Sequence, residues 1–199
     1  MCGRYYVDDE TAREIEKIVR DVNDKLYREH KRTQRKAGDI FPTNTAPVIV
    51  AQDELLEEKE QVWGYPGFNH KGVVFNARSE TAAEKRMFAE SVKNRRVIIP
   101  AAGFYEWNKQ KDKFRFTAEN DRVLLLAGCY QKFNDTERFV ILTTEANESM
   151  KDVHSRMPVI IKRDEIAQWM FEDEAVEFIL HRTPPQLNRE VEGQMTLFD

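Results

Sequence analysis

Cys2 follows the initiator methionine and precedes Gly3 and Arg4. A small residue at the second position permits methionine removal, and a chain that begins with cysteine carries an amine and a thiol on adjacent carbons. An α-amine has an ordinary pKa of about 7.7–8.0, so roughly a tenth or more is neutral at pH 7. It can attack an aldehyde to give a Schiff base, and the thiol can then close a five-membered thiazolidine ring. An internal cysteine, with its nitrogen tied up in an amide, cannot.

The same terminus suits a second chemistry. Glutamine amidotransferases of the N-terminal-nucleophile type begin with a processed Met-Cys-Gly and turn the thiol on an amide. They continue with an apolar strand and glutamine-binding motifs, whereas here Arg4 follows, a residue suited to a phosphate. Three further segments concentrate reactive residue types where packing does not require them. Residues 75–81 (Phe-Asn-Ala-Arg-Ser-Glu-Thr) carry Asn76 and Arg78 from a strand into a helix. Residues 103–107 set Glu106 among Phe104, Tyr105 and Trp107, where desolvation would raise a carboxyl pKa toward a useful acid–base range. Residues 153–158 hold His154, of a residue type whose ordinary pKa lies near neutrality, beside Arg156. Taken singly, each has an ordinary explanation: Glu106 as the exposed side of an alternating strand, His154 as a turn residue, Asn76 as a partner for backbone groups at a strand end. His30, His70 and His181 read as structural, and Cys129, inside an apolar run, as core.

These residues need a frame. Asp8-Asp9 suits a helix start, and Ile15, Ile18, Val19, Val22 and Leu26 follow with helical spacing. The basic stretch 28–35 fits the negative pole of that helix and is also a candidate phosphate-contacting loop. Turn residues 41–47 end the helical region. Strands are predicted at 48–50, 61–63, 73–75, 97–99 (ending at Pro100), 104–107, 114–117, 123–127 and 139–143. Helices are predicted at 81–92, 165–170 and 174–181. This order, without regular alternation of strand and helix, predicts a single α+β domain: a mainly antiparallel, barrel-like sheet with peripheral helices. The domain is expected to span residues 1–182, with Pro184-Pro185 ending the last helix and 183–199 forming a tail.

Composition narrows the classes. At 199 residues, with 41% hydrophobic and 33% charged residues, the chain supports one folded domain. The net charge of −4 is not that of a wholly basic nucleic-acid binder, so any such surface must be a local patch, offset by the acidic run 53–60 and the region after Glu165. Two cysteines cannot build a cysteine-based zinc site, and no metal or organic cofactor is expected. No apolar stretch is long enough for a membrane span and no signal peptide is visible, so a cytoplasmic protein without a membrane partner is expected, nucleoid-associated if bacterial, and nothing in the sequence argues against a monomer.

Together the motifs resemble the SOS response-associated peptidase family, whose members process abasic sites. The resemblance runs in order through residues 1–5, 44–47, Trp63-Gly64, 76–81, 86–88, 104–107 and 154–158. It implies that Cys2 bonds to the ring-opened abasic sugar and that Asn76 hydrogen-bonds the N-terminal cysteine or the sugar. It further implies that Glu106 moves protons during ring opening and thiazolidine closure, and that His154 assists Schiff-base chemistry and strand scission. Arg4, Arg78, Arg86 and Arg156 neighbour these residues, where phosphate contacts would position the sugar, and Lys85, Arg95 and Arg96 would extend the patch. Trp63, like Phe41-Pro42, either stacks on bases or, for Trp63, packs in the core. Thr143 matches a family position near bound DNA. Ser155 departs from the acidic residue often found after the histidine. The implied partner is single-stranded DNA containing abasic sites, the implied activity a crosslinking, lyase-type one, and the family name implies self-processing at Met1. The alternatives are an N-terminal-cysteine amide or peptide hydrolase and a non-catalytic single-strand-binding module. Finally, Gln194, Leu197 and Phe198 make a short Gln-x-x-Leu-Phe pattern like that with which bacterial proteins dock on the replication sliding clamp.

Overall fold

A computed structural model describes residues 2–23, 38–68 and 71–192. Leu26, the basic stretch 28–35, His30, His70 and the Gln194, Leu197, Phe198 pattern lie outside the described residues. Strand β1 (Tyr5–Val7) precedes α1 (Asp9–Val22). Next come β2 (Gly38–Ile40), a long hairpin of β3 (Thr45–Gln52) and β4 (Leu55–Trp63), and the short β5 (Tyr65–Pro66), β6 (Val73–Val74) and β7 (Asn76–Arg78). Two brief helices, α2 (Ser79–Ala82) and α3 (Ala89–Asn94), lead into β8 (Arg96–Ala101), β9 (Gly103–Trp107), β10 (Lys113–Ala118), β11 (Leu124–Phe133) and β12 (Thr136–Glu145). β13 (Arg156–Pro158), a 3-10 turn (Arg163–Glu165), α4 (Ile166–Phe171), α5 (Asp173–His181) and β14 (Leu187–Glu192) follow.

The fold is the expected α+β domain with a barrel-like sheet. β11, β8, β3, β4 and β12 pair in that sequence, and β12 closes back on β11. β14, β10, β9, β1 and β2 form a five-stranded antiparallel sheet. Only the pairings of β12 with β4 and with β7 are parallel among the described strands. Strand alternation divides the core in two. Val48, Val50, Val97, Ile99, Leu126, Phe139 and Ile141 face the five-stranded sheet, which supplies Tyr5, Val7, Phe104 and Phe116. Their neighbours Ile49, Ile98, Leu125 and Val140 face the other way, against Ile15 of α1, Val92 of α3, Trp169 of α4 and Ile179 of α5. The first helix starts where the sequence predicts: Asp8 Oδ1 accepts the Thr11 N–H at 2.7 Å and Thr11 Oγ1 accepts the Asp8 N–H at 3.3 Å, a reciprocal cap.

Three expectations about elements are corrected. The helix predicted over 81–92 is broken into α2 and α3, because the chain turns between them to bury Phe88 against Tyr65, ring centroids 5.9 Å apart. The strand at 97–99 runs on through Pro100 to Ala101. β3 pairs with β8 only at Val97 and Ile98, so the missing Pro100 N–H interrupts no bond to β3. Residues after Pro185 are not all tail: β14 pairs with β10 along its whole length, and Leu187 is buried in the inner core. Asn147 Nδ2 fixes the reversal into β14, donating to the carbonyls of Pro184 and Pro185 at 2.9 Å each.

Candidate active site

β1 leaves Tyr5 at the start of a register that governs everything upstream of it. The Tyr105 N–H donates to Arg4 O at 3.0 Å and the Ala102 N–H to Tyr6 O at 2.9 Å. With Tyr5 opposite Phe104, alternation turns Tyr5, Phe104 and Glu106 inward and Arg4, Tyr6, Tyr105 and Trp107 outward. Gly103 is needed for this packing, since a Cβ there would lie 2.5 Å from Phe116 O and 2.7 Å from the Tyr6 ring. The consequence is a carboxylate, Glu106, only 4% exposed beside the N-terminal segment.

Cys2 is 1% exposed and packs in the inner core cluster that also holds Tyr5, Met150, Val153 and Met157. Its thiol reaches Arg4 O at 3.8 Å. Burial pushes the thiol well above the usual range and the negative charge of Glu106 pushes it further. Near neutral pH the sulfur therefore keeps its proton, and its attack on an electrophile needs a nearby base. Asn76 Nδ2 donates to Cys2 O at 2.9 Å, and Asn76 Oδ1 is buried with no hydrogen-bond partner among the described residues.

β12 gathers the remaining residues. Thr143 lies opposite Arg78 of β7 on one edge and Pro158 of β13 on the other. Segments far apart in the chain thus flank one strand, and a salt bridge ties them: Arg156 Nη1 and Nη2 meet Glu80 Oε1 and Oε2 at 2.6 and 2.8 Å, and Nη2 also donates to Thr143 O. The guanidinium holds the Glu80 carboxyl below its usual range. His154 sits half-buried at the end of the turn between β12 and β13, its Nδ1 accepting the Arg156 N–H at 3.0 Å. Cys2 and Asn76 therefore share a hydrogen bond, Glu106 acts electrostatically on Cys2, and His154 is linked through Arg156 and Glu80 to α2, the helix that follows Asn76's strand. Among the described residues no three His, Cys, Asp or Glu side chains cluster as a metal site, and no helix of those residues is long and apolar enough to cross a membrane.

The residues read as DNA contacts divide. Arg78 and Arg86 are exposed. Arg4 projects outward with its guanidinium 4.5 Å from the Phe41 ring centroid and 5.3 Å from that of Trp107, and pairs with Asp39 at 3.5 Å. Arg156 is engaged with Glu80. Trp63 is fully buried, its Nε1 donating to Phe75 O at 2.9 Å and its ring edge-on to Tyr5 at 5.1 Å. It packs in the core and has no surface to offer a base. Thr143 is also fully buried, between two neighbouring strands, and its hydroxyl donates to Ala77 O at 3.4 Å. Of the residues named to extend the patch, Arg96 is buried, donating to Trp169 O at 2.6 Å. Sequence reasoning overlooked Trp107, 37% exposed beside Arg4, Phe68, 83% exposed, and the role of Glu80. For Trp107 a signal existed: counting by two from buried Phe104 leaves it on the solvent side. The acidic run 53–60 occupies the β3–β4 turn and the first six residues of β4, ending three residues before Trp63.

A family model described as SOS response associated peptidase (SRAP) matches residues 1–192. The abasic site processing protein YoqW of Bacillus subtilis is 38% identical over 185 residues, covering 85% of this chain and 80% of its own. The abasic site processing protein YedK of Escherichia coli is 28% identical over 178 residues, covering 85% and 79%. In fold, a crystal structure of a phage-related protein from Bordetella bronchiseptica superposes with a TM-score of 0.77 at 21% identity, covering 97% of this chain and 95% of that one.

Proposed function

The chain belongs to the SOS response-associated peptidase family, and on that footing we propose that it captures abasic sites in single-stranded DNA through Cys2. The observation that carries the proposal is the buried Cys2 thiol with Asn76 bonded to its carbonyl and the Glu106 carboxylate alongside. Two relatives that match most of the chain are named abasic site processing proteins.

The chemistry follows from these positions. Cleavage of the Met1–Cys2 bond, by the protein itself or by a methionine aminopeptidase, frees the Cys2 amine. The abasic sugar opens to its aldehyde with Glu106 or His154 moving the proton. The amine adds to the aldehyde carbon, water leaves, and a Schiff base forms. The sulfur then adds to the same carbon as its proton passes by way of Glu106 to the nitrogen, closing the thiazolidine. Only water is lost, and the DNA strand stays intact. Arg4, Arg78 and Arg86 seat the flanking phosphates, while Arg156 is available to a phosphate only in exchange for Glu80. Without the thiol, the Schiff base is the end point and residual strand scission by a lyase route is the outcome. Gln194, Leu197 and Phe198, just past β14, would dock the protein on a sliding clamp where single-stranded lesions arise.

Protein whose N-terminus is confirmed as Cys2 is mixed with abasic single-stranded DNA and analysed by denaturing gel and mass spectrometry. The expected result is a heat-stable adduct, one water lighter than the sum of its parts, absent from C2A and C2S and from undamaged DNA. No adduct from correctly processed protein sinks the proposal. Thiol-dependent amide hydrolysis in its place would point to an N-terminal-cysteine hydrolase, and reversible, salt-sensitive binding alone to a simple single-strand binder.

A further inference from the structure

Arg156 performs two tasks with two different parts of itself. Its guanidinium meets the Glu80 carboxylate fork to fork, at 2.6 and 2.8 Å, and also bonds Thr143 O. Its backbone N–H donates to His154 Nδ1 at 3.0 Å. Peptide planarity fixes the direction of that N–H, so the ring nitrogen facing it must present a lone pair. A neutral His154 held this way carries its proton on Nε2. The Arg156 carbonyl oxygen lies 3.1 Å from the same Nδ1. That oxygen is within reach of Nδ1–H in the other tautomer, so a change in the Arg156 backbone would tip the ring between the two. How firmly the first residue of β13 is held therefore bears on the choice between the two.

We infer that Glu80 is a positioning residue: by gripping the Arg156 side chain it fixes the Arg156 backbone, and through that N–H it sets the orientation and tautomer of His154. Glu80 has the shape for this task, since a carboxylate presents two acceptors to the two Nη donors. Glutamine would present one acceptor and turn an N–H₂ group on the other donor. The grip adds to β-ladder bonding: β13 pairs with β12 at only three residues, 156–158, and Arg156 is the first of them, just after the Ala146 N–H donates to Ser155 O at 3.0 Å. The inference rests on the proposed function only in that His154 serves the chemistry there.

Ring ¹⁵N chemical shifts of His154 in the full chain test the inference without DNA, with the signal assigned by comparison with H154Q. In the wild type above the histidine titration, Nδ1 should show the shift of an unprotonated nitrogen and Nε2 that of a protonated one. E80A and E80Q should move both shifts toward the average of the two tautomers, with E80D recovering part of the difference. With abasic DNA, E80A should slow adduct formation by about 10-fold, a share of the roughly 10²–10⁴ that a positioned acid–base group contributes. Should E80A fail to fold, R156K, which keeps the backbone N–H and the charge but not the fork, must give the same averaging. Unchanged ring shifts in a folded E80A or R156K overturn the inference. A wild type that forms no adduct overturns the proposed function instead and leaves the tautomer result standing.

Discussion

On β9, Phe104 and Glu106 point into the molecule while Tyr105 and Trp107 point out, and on the segment beside it Tyr5 points in while Arg4 and Tyr6 point out. The two faces of this sheet are one residue apart in register and differ in what surrounds each charge. Inside, the Glu106 carboxylate and the Cys2 thiol share a desolvated space in which burial and the Glu106 charge both raise the thiol. Outside, the Arg4 guanidinium rests on Phe41, 40% exposed, and Trp107, with Asp39 only loosely paired. A partly exposed pair of that kind is worth about 0–1 kcal/mol, so a phosphate can replace Asp39 at little cost. Burial on one face desolvates a carboxylate beside the thiol, and exposure on the other leaves an arginine able to exchange its partner. Slipping β9 by one residue would swap the two.

The two tryptophans offer the sharpest way to break this contrast. W63A is expected to lose about 3–5 kcal/mol of stability through the cavity it leaves, read from chemical denaturation. W107A should change stability by less than about 1 kcal/mol but weaken binding of single-stranded DNA by the roughly 1–3 kcal/mol of one stacked base. Equal destabilisation by both would show that the outward face is as tightly packed as the inward one.

E106Q addresses the buried side alone. Loss of a positioned acid–base group should slow adduct formation by about 10²-fold or more while DNA affinity stays within about twofold, by the uniform-binding reasoning that separates affinity from rate. Burial is the larger cause of the raised Cys2 thiol and Glu106 the second, so removing the charge leaves the thiol protonated near pH 7 and cannot rescue the rate through extra thiolate. A rate equal to wild type would mean another group takes the sulfur's proton.

On the outward side, R78Q and R86Q should each lower the salt dependence of single-strand binding by about 0.7 in the log–log slope, with melting temperature unchanged. An unaltered slope would place the DNA elsewhere. The smallest effect concerns Glu80. Its carboxyl is held below its usual range by Arg156, so its stabilisation is fully present above the ordinary glutamate pKa of about 4.3 and is lost as pH falls through the lower folded value. The stability difference between wild type and E80A should be under about 1 kcal/mol at pH 7 for so exposed a carboxylate and vanish in acid. A difference that grows in acid would reverse the sign.

Much of this was legible in one dimension. Asp8 with Thr11 and the spacing of Ile15, Ile18 and Val19 define α1, and the apolar runs around Val48, Ile98, Leu125 and Ile141 mark the barrel strands, because local periodicity and capping are short-range effects. β14 was not legible: only Leu187 and Val191 hint at alternation, and Asn188, Arg189 and Glu190 read as tail until β10 pairs with them.

The sequence by itself marked the side chains proposed for the chemistry, Cys2, Asn76, Glu106 and His154, and, through the motifs that hold them, the family. Tertiary structure alone decided their company. Asn76 reaches Cys2 O across 74 residues and Arg156 reaches Glu80 across 76. Trp63 and Trp107, identical in type, part ways because one joins β12 in the core while the other ends an outward-facing register. Side-chain type limits what a residue can do, but burial, charge and partners are set by pairing between strands that no local pattern encodes.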